Sequence, residues 1–268
     1  MNGTISILGC GWLGFPLATS LHKKGWRVKG STTTPQKMEA LSRAGIEPYC
    51  IDITKLSDGD RDFFKADTLL VNIPPTRLLR QPRAYLPLLE VIKQEGPANL
   101  ILISSTSVYP LLNREVVEDD TNQMSDDAHP LLAIERMFQK LPSRCTVVRF
   151  GGLVGGARYP GRFFTADRAV SGARQAVNLI HLDDCLLIIE SILQQDCYGE
   201  VFNGVADTHP AKADFYARAA QLKGREIPHF IHDSEGFKII SNAKVKQQLG
   251  IQLYHPDLMA MLENEALW

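Results

Sequence analysis

The sequence lacks the features that define several classes of protein. No apolar run approaches the roughly 20 residues that a membrane-spanning helix needs. Neither sign of charge is in excess, since 29 Lys and Arg stand against 30 Asp and Glu. The first residues enter a strand-like segment directly, without the charged start and cleavage site of a signal peptide. We therefore expect no membrane insertion, no nucleic-acid surface built on net positive charge, and no secretion.

Cysteine and histidine are few and scattered. The five cysteines form no CxxC pair, and neither they nor the seven histidines have the spacing of metal ligands. The sequence thus predicts no metal site. Cys50, Cys145 and Cys185 have apolar neighbours and are predicted to be core residues. Free thiols are typical of a reducing compartment, which predicts a cytoplasmic location.

The remaining composition is that of a globular protein. The 268 residues, 44% apolar and 22% charged, allow one large domain or two unequal ones. A chain of this length buries a sizeable core without disulfides or metals.

Apolar, β-rich runs alternate with helical segments through the first 150 residues. Because the runs are continuous, they are typical of strands buried on both faces. The pattern predicts an α/β fold with a doubly wound parallel sheet. The predicted strands are residues 5–8, 26–30, 48–51, 68–72, 100–103 and 145–148, and the predicted helices are 15–24, 35–44, 86–94 and 131–141.

The first strand leads into a G-x-G-x-x-G pattern that opens the first helix. In that position the pattern is the dinucleotide-binding fingerprint, because it allows a tight turn, a close approach to a pyrophosphate, and tight packing of helix on sheet. The helix N-terminus also favours phosphate. The alternative is a glycine-rich turn without a ligand. The predicted cofactor-binding residues are Gly9, Gly11, Trp12, Leu13 and Gly14.

The end of the second predicted strand lacks the acidic residue that binds the ribose 2′-OH of NAD. It carries the hydroxyls of Ser31, Thr32 and Thr33 instead, just before the next helix. These groups, with Lys29 or Lys37 nearby, could receive a 2′-phosphate, so we predict that NADP is preferred over NAD. The alternative is that the hydroxyls only cap the helix.

Asp52 follows the third predicted strand. Its carboxylate could accept a hydrogen bond from the adenine amino group, with Ile53 packing on the ring. On spacing alone, an ordinary turn aspartate is an equal alternative.

After Phe150 the alternation of strand and helix patterns gives way to a glycine-rich, irregular stretch. Strand and helix character returns from residue 180, and the last 60 residues are mixed and more polar. We predict a dinucleotide-binding Rossmann domain of residues 1–150 and 177–204, and a smaller lobe of residues 151–176 and 205–268.

Three further motifs together carry a family resemblance. The run Ser104–Tyr109 reads S-S-T-S-V-Y after the fifth predicted strand, Arg149–Gly155 is glycine-rich, and Ile180–Asp184 reads I-H-L-D-D. In this order they resemble the extended short-chain dehydrogenase/reductases, the NAD-dependent epimerase/dehydratase family. The resemblance covers essentially the whole chain.

The resemblance implies a domain that binds NADP or NAD and a small C-terminal lobe that closes over a substrate. Ser105 falls at the family's catalytic Ser/Thr position, and Asp52 at its adenine contact. Ser104 and the loop Asn72, Ile73 and Pro74 fall beside the cofactor. The family's usual substrates are nucleotide sugars, and its members often pair through helices, which allows a homodimer.

One departure from the family concerns proton transfer. None of the seven tyrosines is followed four residues later by lysine, so the Tyr-x-x-x-Lys pair is absent. Alignment of the predicted helix at 131–141 puts Asp127 in the tyrosine position, where it could exchange protons only if burial raised its pKa. Tyr109, Tyr159 and His181 are alternative proton donors, for which packing roles are the competing interpretation.

Arginines could mark an anionic substrate. Arg77 follows the fourth predicted strand, and Arg158 and Arg162 flank Tyr159 in the glycine-rich stretch. Arginine pairs bind phosphate in a bidentate manner, although arginines on a surface are common. The leading prediction is an NAD(P)-dependent, epimerase/dehydratase-like oxidoreductase or isomerase that acts on a small molecule. The alternative is a regulatory or redox-sensing NAD(P)-binding protein without turnover.

Overall fold

A computed structural model describes residues 3–74, 79–165, 167–233 and 236–268. Strands and helices alternate through the first 150 residues, as the sequence predicts. In chain order the elements are β1 (Thr4–Leu8), α1 (Gly14–Lys23), β2 (Arg27–Thr32), α2 (Met38–Arg43), β3 (Glu47–Cys50), α3 (Arg61–Phe64), β4 (Thr68–Val71), α4 (Leu86–Glu95), β5 (Asn99–Ser105), β6 (Arg114–Val116), α5 (Pro130–Gln139) and β7 (Arg144–Phe150).

The later part of the chain contains shorter strands and more helices. Its elements are β8 (Gly152–Val154), β9 (Leu179–His181), α6 (Leu182–Gln194), β10 (Val201–Gly204), α7 (Lys212–Leu222), β11 (Lys238–Ile240), α8 (Ala243–Leu249) and α9 (Leu258–Glu263). None of the helices that the structure describes is long and apolar enough to cross a bilayer.

A seven-stranded sheet has the order β10-β7-β5-β4-β1-β2-β3. The pairs β1–β2, β2–β3, β1–β4 and β4–β5 are parallel. Chain order reverses between β1 and β4, and this reversal is the topological switch point at which open α/β sheets bind ligands. The predicted fold class, a doubly wound parallel sheet of Rossmann type, is confirmed.

Two small parallel sheets lie outside the main one. β8 pairs with β9, and β6 pairs with β11, with Arg114 opposite Lys238. The second pairing joins segments more than 120 residues apart, and both strands carry charged residues. Neither β6 nor β11 is therefore an apolar run that the sequence pattern could have predicted as a strand.

The chain divides into two compact units. The first unit comprises Met1–Ser104, Met124–Val148 and Ile192–Val201, and the second comprises Ser105–Gln123, Arg149–Ser191 and Phe202–Trp268. These units do not follow the predicted domain boundaries. The predicted division into a cofactor-binding domain and a smaller substrate lobe stays a prediction.

Each unit has its own hydrophobic core. In the first, residues of α3, α4 and α5 such as Phe63, Leu88 and Phe138 pack with strand residues of the sheet. In the second, Phe215 of α7 and Leu258 of α9 pack with residues of β8 and β9. Among the cysteines, the predicted burial of Cys145 and Cys185 is confirmed. That of Cys50 is wrong, because Cys50 ends the edge strand β3 and is exposed.

Candidate functional site

The fingerprint loop connects β1 to α1. Gly9 has φ +105°, and a Cβ on it would lie 2.3 Å from the Asn72 carbonyl oxygen. A Cβ on Gly14 would lie 2.3 Å from the Gly9 carbonyl oxygen. A Cβ on Gly11, in contrast, would meet no described atom within 4 Å. The chain itself requires the outer two glycines, whereas the middle one leaves open space beside the backbone, as a bound pyrophosphate requires.

Two predicted cofactor residues hold this loop. The Gly9 amide donates to Ser31 Oγ at 3.0 Å, and Asn72 Nδ2 donates to the Gly9 carbonyl oxygen at 3.0 Å. Ser31 is 2% exposed. Both side chains therefore have a structural role in the loop, and their contact with a cofactor stays a prediction. Trp12 is half-buried and Leu13 is buried beside them.

The end of β2 carries hydroxyls and no carboxylate. Thr32 Oγ1 accepts from the Thr34 amide at 3.1 Å, and Thr33 is exposed. Lys29 does not belong to this group, contrary to our expectation. Its buried ammonium donates to the Asp62 carboxylate at 2.9 Å, whereas Lys37, the other cation suggested by the sequence, is exposed.

Asp52 lies after β3 in a turn. Its Oδ1 accepts from both the amide and the hydroxyl of Thr54, and these bonds hold the pKa of the carboxyl below its usual value. Both bonds engage Oδ1, and the side chain is exposed. The side chain of Ile53 is 5% exposed within the core of the first unit, so it offers little surface to an adenine ring.

At the end of β5, Ser104 contacts Glu135 of α5, a residue that the sequence analysis did not single out. Ser104 Oγ donates to Glu135 Oε1 at 2.5 Å, and Glu135 is 1% exposed on α5. This bond fixes the Ser104 hydroxyl. A charged residue on the apolar face of a predicted helix was the available signal. In the nearby loop Ile73 is half-buried and Pro74 is exposed, whereas Arg77 lies outside the described residues.

Ser105, the predicted catalytic hydroxyl, begins the second unit. It is half-buried, and its Oγ accepts from the Ser107 amide at 3.2 Å. Accepting this bond fixes the oxygen and leaves the hydroxyl proton for donation to another group.

Tyr109 lies in a buried polar network. Its Oη donates to Asn203 Oδ1 at 2.8 Å and accepts from Arg149 Nη1 at 2.7 Å. Burial raises the pKa of this phenol to about 12. A buried phenol whose two hydrogen bonds are already formed is poorly suited to exchange protons with a substrate. The geometry therefore argues against Tyr109 as the proton donor.

Glu118 belongs to the same network and is 6% exposed, although it lies in an acidic stretch with Asp119 and Asp120. Its Oε1 accepts from the Asn203 amide at 2.8 Å, and burial raises the pKa of the carboxyl. Asp127, in contrast, is exposed and bonded to Ser125, which lowers its pKa. Without burial, Asp127 does not have the raised pKa that the role of a replacement acid requires.

The remaining predicted donors are also buried. Tyr159 is 4% exposed, and its Oη donates to the Ala219 carbonyl oxygen at 2.7 Å. His181 is 4% exposed, and its Nδ1 accepts from the Asp183 amide at 3.2 Å. Burial, followed by the nearby His255, lowers the pKa of His181. At neutral pH the ring of His181 is therefore neutral.

The predicted substrate-binding residues do not all lie at the same cavity. Tyr159 and Arg162 line one cavity of the second unit, whereas Arg158 is exposed and is not among the residues that line it. The cavity also contains cationic residues that the sequence analysis did not single out, Lys223 and Arg225.

The chain is similar to a known protein over nearly its whole length. No family model matches the sequence. The protein YeeZ of Escherichia coli K12 is 35% identical to this chain over an alignment of 269 positions, which covers 96% of this chain and 98% of YeeZ. The chain therefore belongs to the family of YeeZ.

Solved structures show the same fold. A UDP-glucuronic acid 4-epimerase from Bacillus cereus, in complex with NAD, has a TM-score of 0.74 at 19% identity, covering 98% of this chain and 97% of that one. The human epimerase family protein SDR39U1, with NADPH, has a TM-score of 0.67 at 18% identity, covering 98% and 99%. At these identities the likeness establishes the architecture.

Proposed function

We propose that the fingerprint loop binds NADP and, less tightly, NAD. The observation that carries this proposal is Gly11, which has open space beside its backbone while Gly9 and Gly14 are packed against backbone atoms. The two structures described above, one in complex with NAD and one with NADPH, support a nicotinamide dinucleotide as the ligand.

The residues of this chain divide the work of holding the cofactor. The amides at the start of α1 bind the pyrophosphate, whereas those of Gly9, Cys10 and Gly11 donate to atoms of the chain. Thr32, Thr33 and Lys37 receive the 2′-phosphate, and the exposed Asp52 meets the adenine. Bound there, the nicotinamide supplies hydride exchange with a substrate carbon.

The proposed activity is that of an epimerase/dehydratase-like oxidoreductase or isomerase. Ser105 donates its hydroxyl proton in a hydrogen bond to a substrate oxygen, because its own oxygen is already held by the Ser107 amide. An oriented donor of this kind contributes roughly 10²–10³ in rate where charge develops. A nucleotide sugar is the proposed substrate, since the Bacillus cereus relative is an enzyme of that class.

Cofactor binding is tested with Gly11→Val. The added side chain fills the space for the pyrophosphate, so titration calorimetry should show at least a tenfold loss of NADP affinity with an unchanged melting temperature. Gly59→Val, in an exposed turn of the same unit, is the matched control and should bind NADP normally. Equal NADP affinity of native and Gly11→Val protein would reject the loop as the site.

Turnover is tested with Ser105→Ala and Asp127→Asn on a panel of nucleotide sugars. We expect Ser105→Ala to lose roughly 10²-fold in rate and to keep its NADP affinity. Ser105→Thr should restore part of the rate, because it keeps the hydroxyl. Asp127→Asn should have little effect, and a large loss in this variant alone would assign the acid/base role to Asp127.

A second candidate is an NAD(P)-binding regulatory protein without turnover. It is favoured by the state of the predicted proton donors, since Tyr109 and Tyr159 are buried with bonded hydroxyls and Asp127 is exposed. Tight NADP binding by a native protein that turns over no member of the panel would support it.

A further inference from the structure

Two histidines and one carboxylate meet at the start of α6. His181 ends β9, Asp183 lies in the first turn of α6, and His255 lies in the segment before α9. All three belong to the second unit, and each offers a donor atom within 4.8 Å of the other two. His255 follows Asp183 by 72 positions, so the spacing along the sequence does not reveal the cluster.

The distances between the donor atoms suit a single metal ion. His255 Nε2 lies 3.0 Å from Asp183 Oδ2, and His181 Nδ1 lies 3.3 Å from the same oxygen. Ligand atoms bonded at roughly 2.1 Å to one tetrahedral zinc ion are about 3.4 Å apart. The Asp183 oxygen is therefore close enough to both nitrogens for the three atoms to share one ion.

Two hydrogen-bond acceptors face each other in this cluster. His181 Nδ1 accepts from the Asp183 amide at 3.2 Å, so this nitrogen presents a lone pair and carries no proton. Asp183 Oδ2, 3.3 Å away, is also an acceptor. Two acceptors at this distance repel each other, and a cation that both of them contact removes the repulsion.

The backbone around the cluster is held by a second carboxylate. Asp184 is buried and accepts from the amides of Tyr254 and His255 at 2.6 Å and 3.2 Å. The ring of His255 also packs edge-on against that of His181, with centroids 4.2 Å apart. The first turn of α6 thus fixes the segment that carries His255 and presents Asp183 beside it. This ordering lowers the entropy that the side chains lose when they bind an ion.

The cluster is open to solvent on one side. The side chain of Asp183 is 49% exposed and that of His255 is 15% exposed, so an ion can arrive past Asp183. Water can complete the coordination, as it does in zinc sites with three protein ligands. Imidazole suits zinc and its neighbours among the transition metals, whereas Mg²⁺ and Ca²⁺ prefer oxygen ligands.

We propose that His181 Nδ1, Asp183 Oδ2 and His255 Nε2 bind one divalent transition-metal ion, with zinc as the expected ion. On binding, His255 carries its proton on Nδ1, and His181 Nδ1 exchanges the hydrogen bond from the Asp183 amide for the ion. The fingerprint loop belongs to the first unit, so the proposal depends neither on NADP binding nor on turnover.

The test is calorimetric titration with zinc chloride, on protein that a chelator has freed of metal and without dinucleotide. Native protein should bind one zinc ion, and Mg²⁺ should bind at least about tenfold more weakly. Asp183→Asn and His255→Gln each remove one ligand, so each should weaken zinc binding about tenfold or more. Both variants keep the backbone bonds that hold the cluster, and their circular dichroism should match that of native protein.

Two matched controls lie in the same unit. Asp214→Asn removes an exposed carboxylate from the first turn of α7, as Asp183→Asn does from α6. His232→Gln removes an exposed histidine. Both controls should bind zinc like native protein, because neither residue belongs to the cluster.

Cobalt provides a second readout. Co²⁺ accepts the ligands of zinc sites, and its visible absorption depends on the number and type of its ligands. Native protein with one Co²⁺ should show a visible band that zinc abolishes by displacement. The band should be absent from Asp183→Asn and unchanged in Asp214→Asn.

The outcomes separate this site from the proposed cofactor site. Zinc binding that fails in both cluster variants and survives in both controls and in Gly11→Val supports the proposal, even if NADP does not bind at all. Three results would overturn it: native protein that binds no zinc, zinc affinity that is unchanged in Asp183→Asn or in His255→Gln, or Mg²⁺ bound as tightly as zinc.

Discussion

Lys29 in the first unit and Arg149 in the second are the buried cations of the described chain, and they are held in different ways. Lys29 pairs with the Asp62 carboxylate, whose side chain is 60% exposed. Arg149 donates to Tyr109 Oη, the Glu118 carbonyl oxygen and Thr121 Oγ1, all in buried residues. The charge of Lys29 is thus compensated at the surface, whereas Arg149 lies in a closed network whose members depend on one another.

Replacing Arg149 should have the largest effect. Arg149→Leu leaves Tyr109, Glu118 and Thr121 with unmet hydrogen bonds in a buried setting, and we expect a loss of about 3–5 kcal/mol in the free energy of unfolding. Urea denaturation followed by circular dichroism measures it.

The matched change in the first unit is Lys29→Met. The exposed Asp62 carboxylate can be solvated by water once the lysine is gone, so the expected loss is smaller, about 1–2 kcal/mol. Equal losses in the two variants would mean that the burial of the partners does not decide the energy.

Two glycines of the fingerprint loop differ in how closely the chain packs around them. Gly14→Ala places a methyl group 2.3 Å from the Gly9 carbonyl oxygen, a backbone atom that cannot give way cheaply. We expect about 1–3 kcal/mol of destabilisation. Gly11→Ala has open space and should change the unfolding free energy by less than about 0.5 kcal/mol. A destabilised Gly11→Ala would contradict the open space beside this residue.

The two units also differ in how much of them the sequence predicts. In the first unit, β1, β4 and β5 contain apolar runs, and the loop residues follow the strands directly. For this reason β1, β2, β4 and the fingerprint were predicted within one or two residues. Local patterns suffice there because parallel strands bring their carboxyl ends to one edge.

The second unit is built from contacts that local patterns do not encode. Tyr109, Glu118, Arg149 and Asn203 are spread over nearly 100 positions, and their burial is a property of the packed structure. The sequence therefore made Tyr109 a candidate proton donor and did not single out Glu118. Lys223 was missed for the same reason, because a surface lysine after a helix has no distinguishing pattern until the cavity exists.

Cofactor preference tests the end of β2. Thr32→Asp places a carboxylate where the 2′-phosphate is proposed to bind, so NADP affinity should fall relative to that of NAD by about tenfold (about 1.4 kcal/mol). Calorimetric titration with both dinucleotides measures the ratio. Thr33→Ser alters the next residue, keeps its hydroxyl and adds no charge, so it should leave the ratio close to native. A native protein that already binds NAD tenfold more tightly would contradict the preference.

The smallest expected effect is the pH dependence that His181 contributes to the second unit. Burial and the ring of His255, 4.2 Å away, lower the pKa of His181 in the folded chain. The unfolded chain binds this proton at the ordinary histidine pKa, near 6.5, while the folded chain does not. The stabilising difference is therefore complete above pH 6.5 and is lost as the pH falls through the lower, folded value.

Between pH 7 and pH 5.5 this loss amounts to about 1.3 kcal/mol at most. His181→Asn removes the titration, so its unfolding free energy should depend less on pH over this interval than that of native protein. His232→Gln, at an exposed position of the same unit, is the control and should keep the native slope. Asp184 is also buried, and because its pKa is raised, its contribution to stability increases as the pH falls. The contribution of His181 is therefore measured as the difference between His181→Asn and native protein. An NMR titration that gives His181 a folded pKa at or above 6.5 would reverse the sign and contradict the buried, neutral ring.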